Sequence, residues 1–360
     1  GVPDSGDLTI MSANTTSGNS QEYGGPGDRI FQALDPDVVA IQEFNVPDAG
    51  GRRAWVDRVF GTGFHYMVEP GADSIPCGVV SRYPITASGQ WLDTQVGNRD
   101  FAWATIDIPG STDLHVISVH LHGSGGAGSR SIEAGIIMGE VANQFPAADY
   151  IALCGDFNTT SRTEAAVQAF KAVFSDQHVP VDQNGESDTN EPRNKPYDWV
   201  MPNGPLELLH QTITVGGRNF PNGLVFDTRL WNPPPAPALQ ADSGASQMQH
   251  MAVIKSYRLP LVTAMGTPYE WLESYGIVSD YDTAELLDPD GDGFATWQEY
   301  VAGTDPTIGA SRFEITRVEG ELAVSITCAT RAERRYVIEF ADAVGPGAGG
   351  LDWQSFTSAI

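Results

Sequence analysis

Apolar residues in this chain gather in short runs that end on a polar head, separated by stretches with three-and-four spacing. Leu8-Thr9-Ile10-Met11, Val38-Val39-Ala40-Ile41, Cys77-Gly78-Val79-Val80, Phe101 to Ile106 and Leu114 to Val119 have the length and composition of strands. Ile151 to Cys154, Asp198-Trp199-Val200-Met201 and Met251-Ala252-Val253-Ile254 continue the set. Helical spacing predicts helices over 28–34, 131–144 and 164–174. Strands broken by helices, with tight strand–strand pieces between, predict a layered α/β domain over residues 1–258. A proline-rich run, 232–237, reads as a stiff surface loop.

A boundary is expected near residue 259. Thr267-Pro268 can open a helix that ends at Gly276, and 259–310 reads as a helical segment. From Ser311 on, alternation in Phe313-Glu314-Ile315-Thr316 and Tyr336-Val337-Ile338-Glu339-Phe340 predicts strands over 311–360. Fifty residues make part of a sandwich or a small docked sheet.

The polar heads carry the chemistry. In Ile151-Ala152-Leu153-Cys154-Gly155-Asp156-Phe157-Asn158 an apolar run ends on a carboxylate and a carboxamide at alternate positions. Alternate residues of a strand share a face, so Asp156 and Asn158 are expected to emerge together. Asp-x-Asn also opens ordinary turns. Asn14, Glu43 and His120 follow other strand candidates, while Asp198 opens one and His250 precedes one. Glu43 with Asn14 offers oxygen ligands to a hard cation such as Mg²⁺.

Taken in order, Met11-Ser12-Ala13-Asn14, Ile41-Gln42-Glu43, Ser81-Arg82-Tyr83-Pro84-Ile85, Val119-His120-Leu121, Gly155-Asp156-Phe157-Asn158, Tyr197-Asp198 and His250 resemble the endonuclease/exonuclease/phosphatase superfamily. That superfamily includes the pancreatic-type deoxyribonucleases, bacterial neutral sphingomyelinases and inositol-polyphosphate phosphatases. The resemblance implies a four-layer α/β sandwich, two packed mixed sheets flanked by helices. It implies that Asp156 deprotonates the attacking water and Asn158 binds the phosphoryl group. His120 and His250 would donate to the non-bridging oxygens, and Asp198 would orient His250. Glu43 and Asn14 would hold Mg²⁺ or Mn²⁺. Arg99 lies where family nucleases place a phosphate contact, and Arg130, after the Gly123-Ser124-Gly125-Gly126 loop, is a second candidate. The family usually ends in Ser-Asp-His, whereas this chain reads Met248-Gln249-His250. Gln249 would then supply a neutral oxygen to the metal, or Asp242 would fold back to replace the missing carboxylate. An acid near Asp73-Ser74 is the expected partner of His120.

A second metal signal lies downstream. Asp288-Pro289-Asp290-Gly291-Asp292-Gly293, followed by Glu299, fits the Asp-x-Asp-x-Asp-Gly-x₅-Glu pattern of an EF-hand-like Ca²⁺ loop. Ligands would be Asp288, Asp290, Asp292, the Phe294 carbonyl, Thr296 through water, and bidentate Glu299. Gly303-Thr304-Asp305-Pro306 resembles the calcium-loop repeats of bacterial cell-surface proteins, and a structural staple is the expected role.

Charge narrows the substrate. The formal net charge is -26, and the lysines are Lys171, Lys195 and Lys255 alone. Such a surface repels nucleic acid and anionic membrane at long range, so phosphate must be met by a local site. Cys77, Cys154 and Cys328 read as buried free thiols. No apolar run reaches membrane-spanning length, so no stable membrane insertion is expected. The opening Gly1-Val2-Pro3-Asp4-Ser5-Gly6 reads as a mature start, which with the Ca²⁺ loop points to a secreted or cell-surface monomer. The reading is a secreted phosphodiesterase, with a nuclease favoured. A phospholipid head group, as for sphingomyelinase or phospholipase C, or a phosphomonoester is the alternative substrate. From another class, a catalytically impaired, calcium-stabilised surface binding protein is the alternative function.

Overall fold

The computed structural model describes residues 6–14, 23–46, 50–71, 74–319, 325–328, 339–340 and 354–355. They belong to two compact units, Gly1–Pro260 and Leu261–Ile360.

The first unit is built on two sheets. Its strands are β1 (Asp7–Asn14), β2 (Val38–Gln42), β3 (His65–Val68), β4 (Gly78–Ser81), β5 (Ile85–Trp91), β6 (Phe101–Ile106), β7 (Leu114–His120), β8 (Tyr150–Asp156) and β9 (Asp198–Pro202). β10 (His210–Gln211), β11 (Ile213–Val215), β12 (Arg218–Phe220), β13 (Leu224–Phe226) and β14 (Ala252–Arg258) follow. One sheet has the order β10-β14-β1-β2-β4-β3, with β13 also on β14; the other runs β5-β6-β7-β8-β9. Only β1–β2 and β7–β8 pair in parallel within these sheets.

Period-two alternation sorts the side chains. In β1, Met11 and Ala13 join Val39, Ile41 and Ile254 in an apolar cluster with Phe31, Trp55 and Val56 from α1 (Asp28–Leu34) and α2 (Gly51–Val59). On the other sheet, Ile117, Val119, Ile151 and Leu153 pack with Ala134, Ile137 and Val141 of α3 (Gly126–Gln144). Ala166, Val167 and Phe170 of α4 (Ala165–Phe170) complete that cluster. The remaining faces meet each other, with β1, β2 and β14 against β7, β8 and β9. The result is helix, sheet, sheet, helix: the four-layer α/β sandwich.

The seam between the sheets is hydrogen-bonded as well as apolar. Gln42 Nε2 donates to Ser118 Oγ at 2.9 Å, and Ser118 Oγ donates to the Ile41 carbonyl at 2.9 Å. Lys255 on β14 is 1% exposed. Burial pushes its ammonium down to about 8.

Some expectations need correction. The helix expected over 131–144 begins at Gly126, and the one expected over 164–174 ends at Phe170. Cys77 and Cys154 are buried thiols, but Cys328 is only half-buried. No described helix is long and apolar enough to cross a membrane.

The second unit contains α5 (Tyr269–Ser274), α6 (Tyr281–Ala284) and α7 (Thr296–Ala302). Its β15 (Ile315–Glu319) pairs antiparallel with β16 (Ser325–Cys328), and Glu339–Phe340 pairs with Gln354–Ser355. The rest of the strand expected from Tyr336 lies outside the described residues.

Candidate active site and calcium loop

Register brings the polar heads together. β7 and β8 place His120 opposite Asp156, and β8 and β9 place Asp156 opposite Asp198. β1 and β2 end side by side with Asn14 opposite Gln42, one residue before Glu43. Because β1, β2, β7 and β8 finish at one edge of the sandwich, residues far apart in sequence converge there.

Asp156 is the hub, 1% exposed. Its Oδ2 accepts from Asn14 Nδ2 at 3.0 Å and Asn158 Nδ2 at 3.1 Å. His120 Nε2 lies 3.3 Å from the same oxygen and His250 Nε2 3.7 Å from it. Oδ1 accepts from the Asn158 backbone N–H at 2.8 Å. Burial lifts the Asp156 carboxyl to about 6, against the opposing pull of His250. The backbone that carries it depends on Gly155: a Cβ there would lie 2.0 Å from the Val119 carbonyl oxygen, at φ +150°.

The strand ends at Asp156, so strand alternation does not aim Asn158. A left-handed turn does, with Asn158 at φ 51°. Glu43 stands at φ 56°. For residues with a Cβ this region costs roughly 1–2 kcal/mol each, a strain that clusters at functional sites. Glu43 Oε1 lies 3.4 Å from Asn14 Nδ2 and 4.0 Å from His120 Nδ1.

The two histidines differ. His250 Nδ1 pairs with Asp198 Oδ2 at 3.0 Å. Burial pushes this imidazole down, but the Asp198 and Asp156 carboxylates outweigh it and lift His250 to about 9. Burial, together with the positive charges of Arg99 and His250, drives His120 well below the usual histidine range. His250 is therefore an imidazolium, and His120 a neutral ring that donates through one nitrogen only. Asp198 is braced in turn, its backbone N–H donating to Thr189 Oγ1 at 2.7 Å.

Both candidate arginines hold neighbouring groups. Arg99 is 7% exposed; its Nε donates to the His120 carbonyl at 2.6 Å and its Nη2 to the Leu121 carbonyl at 3.0 Å. Arg130 pairs with Glu164 at 2.5 Å and donates to the His122 carbonyl at 3.0 Å. Through these contacts they bracket the turn that follows β7. Leu121, whose carbonyl Arg99 holds, also accepts from Asn158 Nδ2 at 3.0 Å. Glu133 on α3 completes the bracket by accepting from the His122 N–H at 2.9 and 3.0 Å. In the sequence, Glu133 gives one signal only, a position among Arg130, Ala134, Ile137 and Val141 on the buried stripe of α3.

Asp242, one substitute for the missing family aspartate, is engaged away from the cluster. Asp242 is held by Arg29 through two hydrogen bonds of 2.6 and 3.0 Å, and also accepts from the Leu239 N–H. Gln249 is exposed, and its backbone carbonyl accepts from the Glu191 N–H at 2.8 Å. Asp73 lies outside the described residues. The oxygen ligands on hand for a hard cation are Glu43 and Asn14, beside the close group of Asp156, Asp198 and His250. One or two carboxylates suit Mg²⁺, which keeps several waters.

In the second unit Asp288, Asp290 and Asp292 form a close carboxylate group. Glu299 is 1% exposed, and neither of its carboxylate oxygens has a hydrogen-bond partner. Thr296 is fully buried, and its hydroxyl donates to the Leu287 carbonyl at 3.0 Å, closing the base of the loop.

Among solved structures the chain is similar to the endonuclease/exonuclease/phosphatase from Beutenbergia cavernae DSM 12333, at 17% identity over 70% of this chain and 72% of that one, with a TM-score of 0.48. It is also similar to an AP endonuclease from Archaeoglobus fulgidus, at 14% identity over 70% and 100% of the two chains, with a TM-score of 0.46. Sphingomyelinase C from Streptomyces griseocarneus gives 15% identity over 70% and 99%, with a TM-score of 0.44. No curated protein matches the chain. The sequence profile of the Endonuclease/Exonuclease/phosphatase family matches residues 28–237, more than half of the chain, and the protein belongs to that family.

Proposed function

We propose that this protein is a secreted, divalent-metal-dependent phosphodiesterase that hydrolyses its substrate by in-line attack of water, with nucleic acid as the leading substrate. The observation that carries the reading is the Asp156 hub: a buried carboxylate lifted to about 6, touching Asn14, Asn158 and His120, with the His250 imidazolium beside it. A base poised near neutral pH suits removal of a proton from water. His250, charged to about pH 9, donates to a non-bridging phosphoryl oxygen, where negative charge grows in the transition state. Asn158 and neutral His120 add uncharged donors once the phosphoryl group takes the place of Asp156 Oδ2 as their acceptor. Asp198 keeps His250 charged and fixes its ring. Glu43 and Asn14 would hold Mg²⁺ or Mn²⁺, which when bound supplies charge stabilisation to the phosphoryl oxygens.

A second substrate class has one observation in its favour. A net charge of -26 opposes the approach of a long polyanion and is indifferent to a small diester such as a phospholipid head group, or to a phosphomonoester. A binding protein without turnover is disfavoured by the completeness of the hub. Purified protein assayed on DNA, RNA, sphingomyelin and a phosphomonoester, with Mg²⁺, Mn²⁺ or chelator, separates these readings. Asp156→Asn and His250→Ala should each abolish turnover; hydrolysis retained in both variants would sink the mechanism. Sedimentation at working concentration tests the expected monomer, and fractionation of the native host tests secretion.

A further inference from the structure

The segment 285–311 of the second unit is built around charge. Asp288, Asp290 and Asp292 stand close together, and the Oδ2 atoms of Asp290 and Asp292 are buried without a hydrogen-bond partner. Both oxygens of Glu299 are buried and unpartnered too, and the charges acting on Glu299 are those of Asp290, Asp292 and Asp305. The nearby Thr304 hydroxyl gives its proton to the Glu299 backbone carbonyl instead, at 3.4 Å. A buried carboxylate with no donor, facing other carboxylates, is unfavourable unless a cation completes it.

The surroundings hold this arrangement open. Gly291 and Gly293 take φ of 75° and 97°, and the Gly291 and Gly293 N–H groups donate to Asp288 at 2.8 Å each. Thr296 ties the loop's far end to Leu287 through its N–H at 2.8 Å and its hydroxyl at 3.0 Å. Glu285, fully buried just before the loop, accepts from Thr263 Oγ1, from Thr267 Oγ1 at 3.0 Å and from the Met265 N–H at 3.0 Å. After α7, the Thr304 N–H returns to the Glu299 carbonyl at 3.0 Å, and Gly309 comes to rest beside Asp290 and Asp292.

We propose that this loop binds one Ca²⁺ through Asp288, Asp290, Asp292, the Phe294 carbonyl and both oxygens of Glu299, as a fold-holding site chemically separate from the hydrolytic one. The choice of cation follows from the donors. All are oxygens, four carboxylates take part, and Glu299 offers two oxygens at once. Ca²⁺ accepts six to eight oxygens in flexible geometry, whereas Mg²⁺ prefers few carboxylates and keeps its water. The Thr296 hydroxyl donates to the Leu287 carbonyl, so a water, as the sequence pattern allows, would complete the set at that position.

Calorimetric titration of the full chain with Ca²⁺, after chelator treatment and with Mg²⁺ in excess, tests the assignment. One Ca²⁺ per chain is expected, with a rise in thermal midpoint on binding. Glu299→Gln keeps the side chain's shape but removes its charge, and should weaken Ca²⁺ at least about tenfold. Asp292→Asn should act in the same direction, and provides the answer if Glu299→Gln fails to fold. Hydrolysis in Mg²⁺ should survive both substitutions. No Ca²⁺ uptake by the wild type, or uptake of the same affinity in both variants, would overturn the proposal. Loss of Ca²⁺ binding in a Glu43→Gln variant with Glu299 intact would overturn it as well, since the cation would then belong to the hydrolytic site.

Discussion

On the proposed function, replacing Asp198 with asparagine should collapse the pH range of hydrolysis, leaving the fold in place. Asp198 Oδ2 accepts from His250 Nδ1 at 3.0 Å inside the seam, and asparagine can keep that hydrogen bond through its own oxygen. What disappears is the negative charge. In the native protein His250 is charged up to about 9, because two carboxylates outweigh the burial that pushes it down. Asp156 must be ionised to act as base, and it loses its proton above about 6. Native activity should therefore rise through about pH 6, hold, and fall through about pH 9. Without Asp198, burial wins and His250 drops to the ordinary histidine value or below, from about 9 to about 6.5. That is roughly 3 kcal/mol against the imidazolium, or about three-hundredfold in its population well above pH 9 and about thirtyfold at pH 8. The rate profile of a chromogenic phosphodiester, measured as kcat from pH 5 to 10, checks this. The variant should peak in a narrow band near pH 6, with kcat at pH 8 reduced by more than tenfold. An alkaline limb still near pH 9 in Asp198→Asn would refute the assignment of His250 as a charged donor.

Other substitutions probe the supporting structure. Arg99→Ala removes two buried donors from the carbonyls of His120 and Leu121, and should cost about 2–4 kcal/mol of stability by urea unfolding. In the folded fraction kcat should fall at least tenfold at nearly constant KM, with partial rescue by guanidinium ion; an unchanged kcat would return Arg99 to an ordinary structural role. Lys255 has its proton affinity lowered from 10.5 to about 8 in the folded state, so the unfolded chain binds more protons between those values. Native stability should rise as pH climbs from about 8 towards 10.5, and Lys255→Met should lose that slope and gain up to about 3 kcal/mol near pH 7. Equal slopes for both proteins would show the lysine to be well solvated. Gly155→Ala puts a Cβ 2.0 Å from the Val119 carbonyl oxygen, so its melting temperature should drop sharply, with Asp156 displaced and activity lost.

How much of this the amino-acid order discloses on its own depends on which neighbours decide a residue's fate. Val38 to Ile41 and Ile151 to Cys154 declare themselves because both faces are buried, so the run is continuously apolar. β3 and β5 do not, since His65 and Thr86 to Ser88 lie exposed on strands at or near a sheet edge, where alternation blurs. α2 hides behind Gly51-Arg52-Arg53, an opening that reads as a turn. At the site, Asp156, His120, Asp198 and His250 can be picked out because strand ends expose them to one edge. Arg99, Arg130 and Asp242 cannot be assigned that way. Each side chain's use is fixed by a partner 21 to 213 residues distant, the His120 carbonyl, Glu164 and Arg29 respectively. Local pattern carries no record of such pairings. Thr296 shows the same limit at short range, its hydroxyl taken by Leu287 nine residues earlier.

The two helix-backed halves of the sandwich each own part of the candidate site. Asn14, Glu43 and His250 come from one, and His120, Asp156 and Asp198 from the other. Asn14 to Asp156 at 3.0 Å and His250 to Asp198 at 3.0 Å are contacts across that divide, as is Gln42 to Ser118 at 2.9 Å. On the proposed function, turnover would be a vernier on the alignment of two separately packed bodies. A slide of one sheet over the other by about 1 Å would part these pairs while both apolar clusters stayed dry, and hydrogen bonds weaken steeply over such a distance. In rising denaturant, activity should therefore vanish before the circular dichroism of either half begins to change.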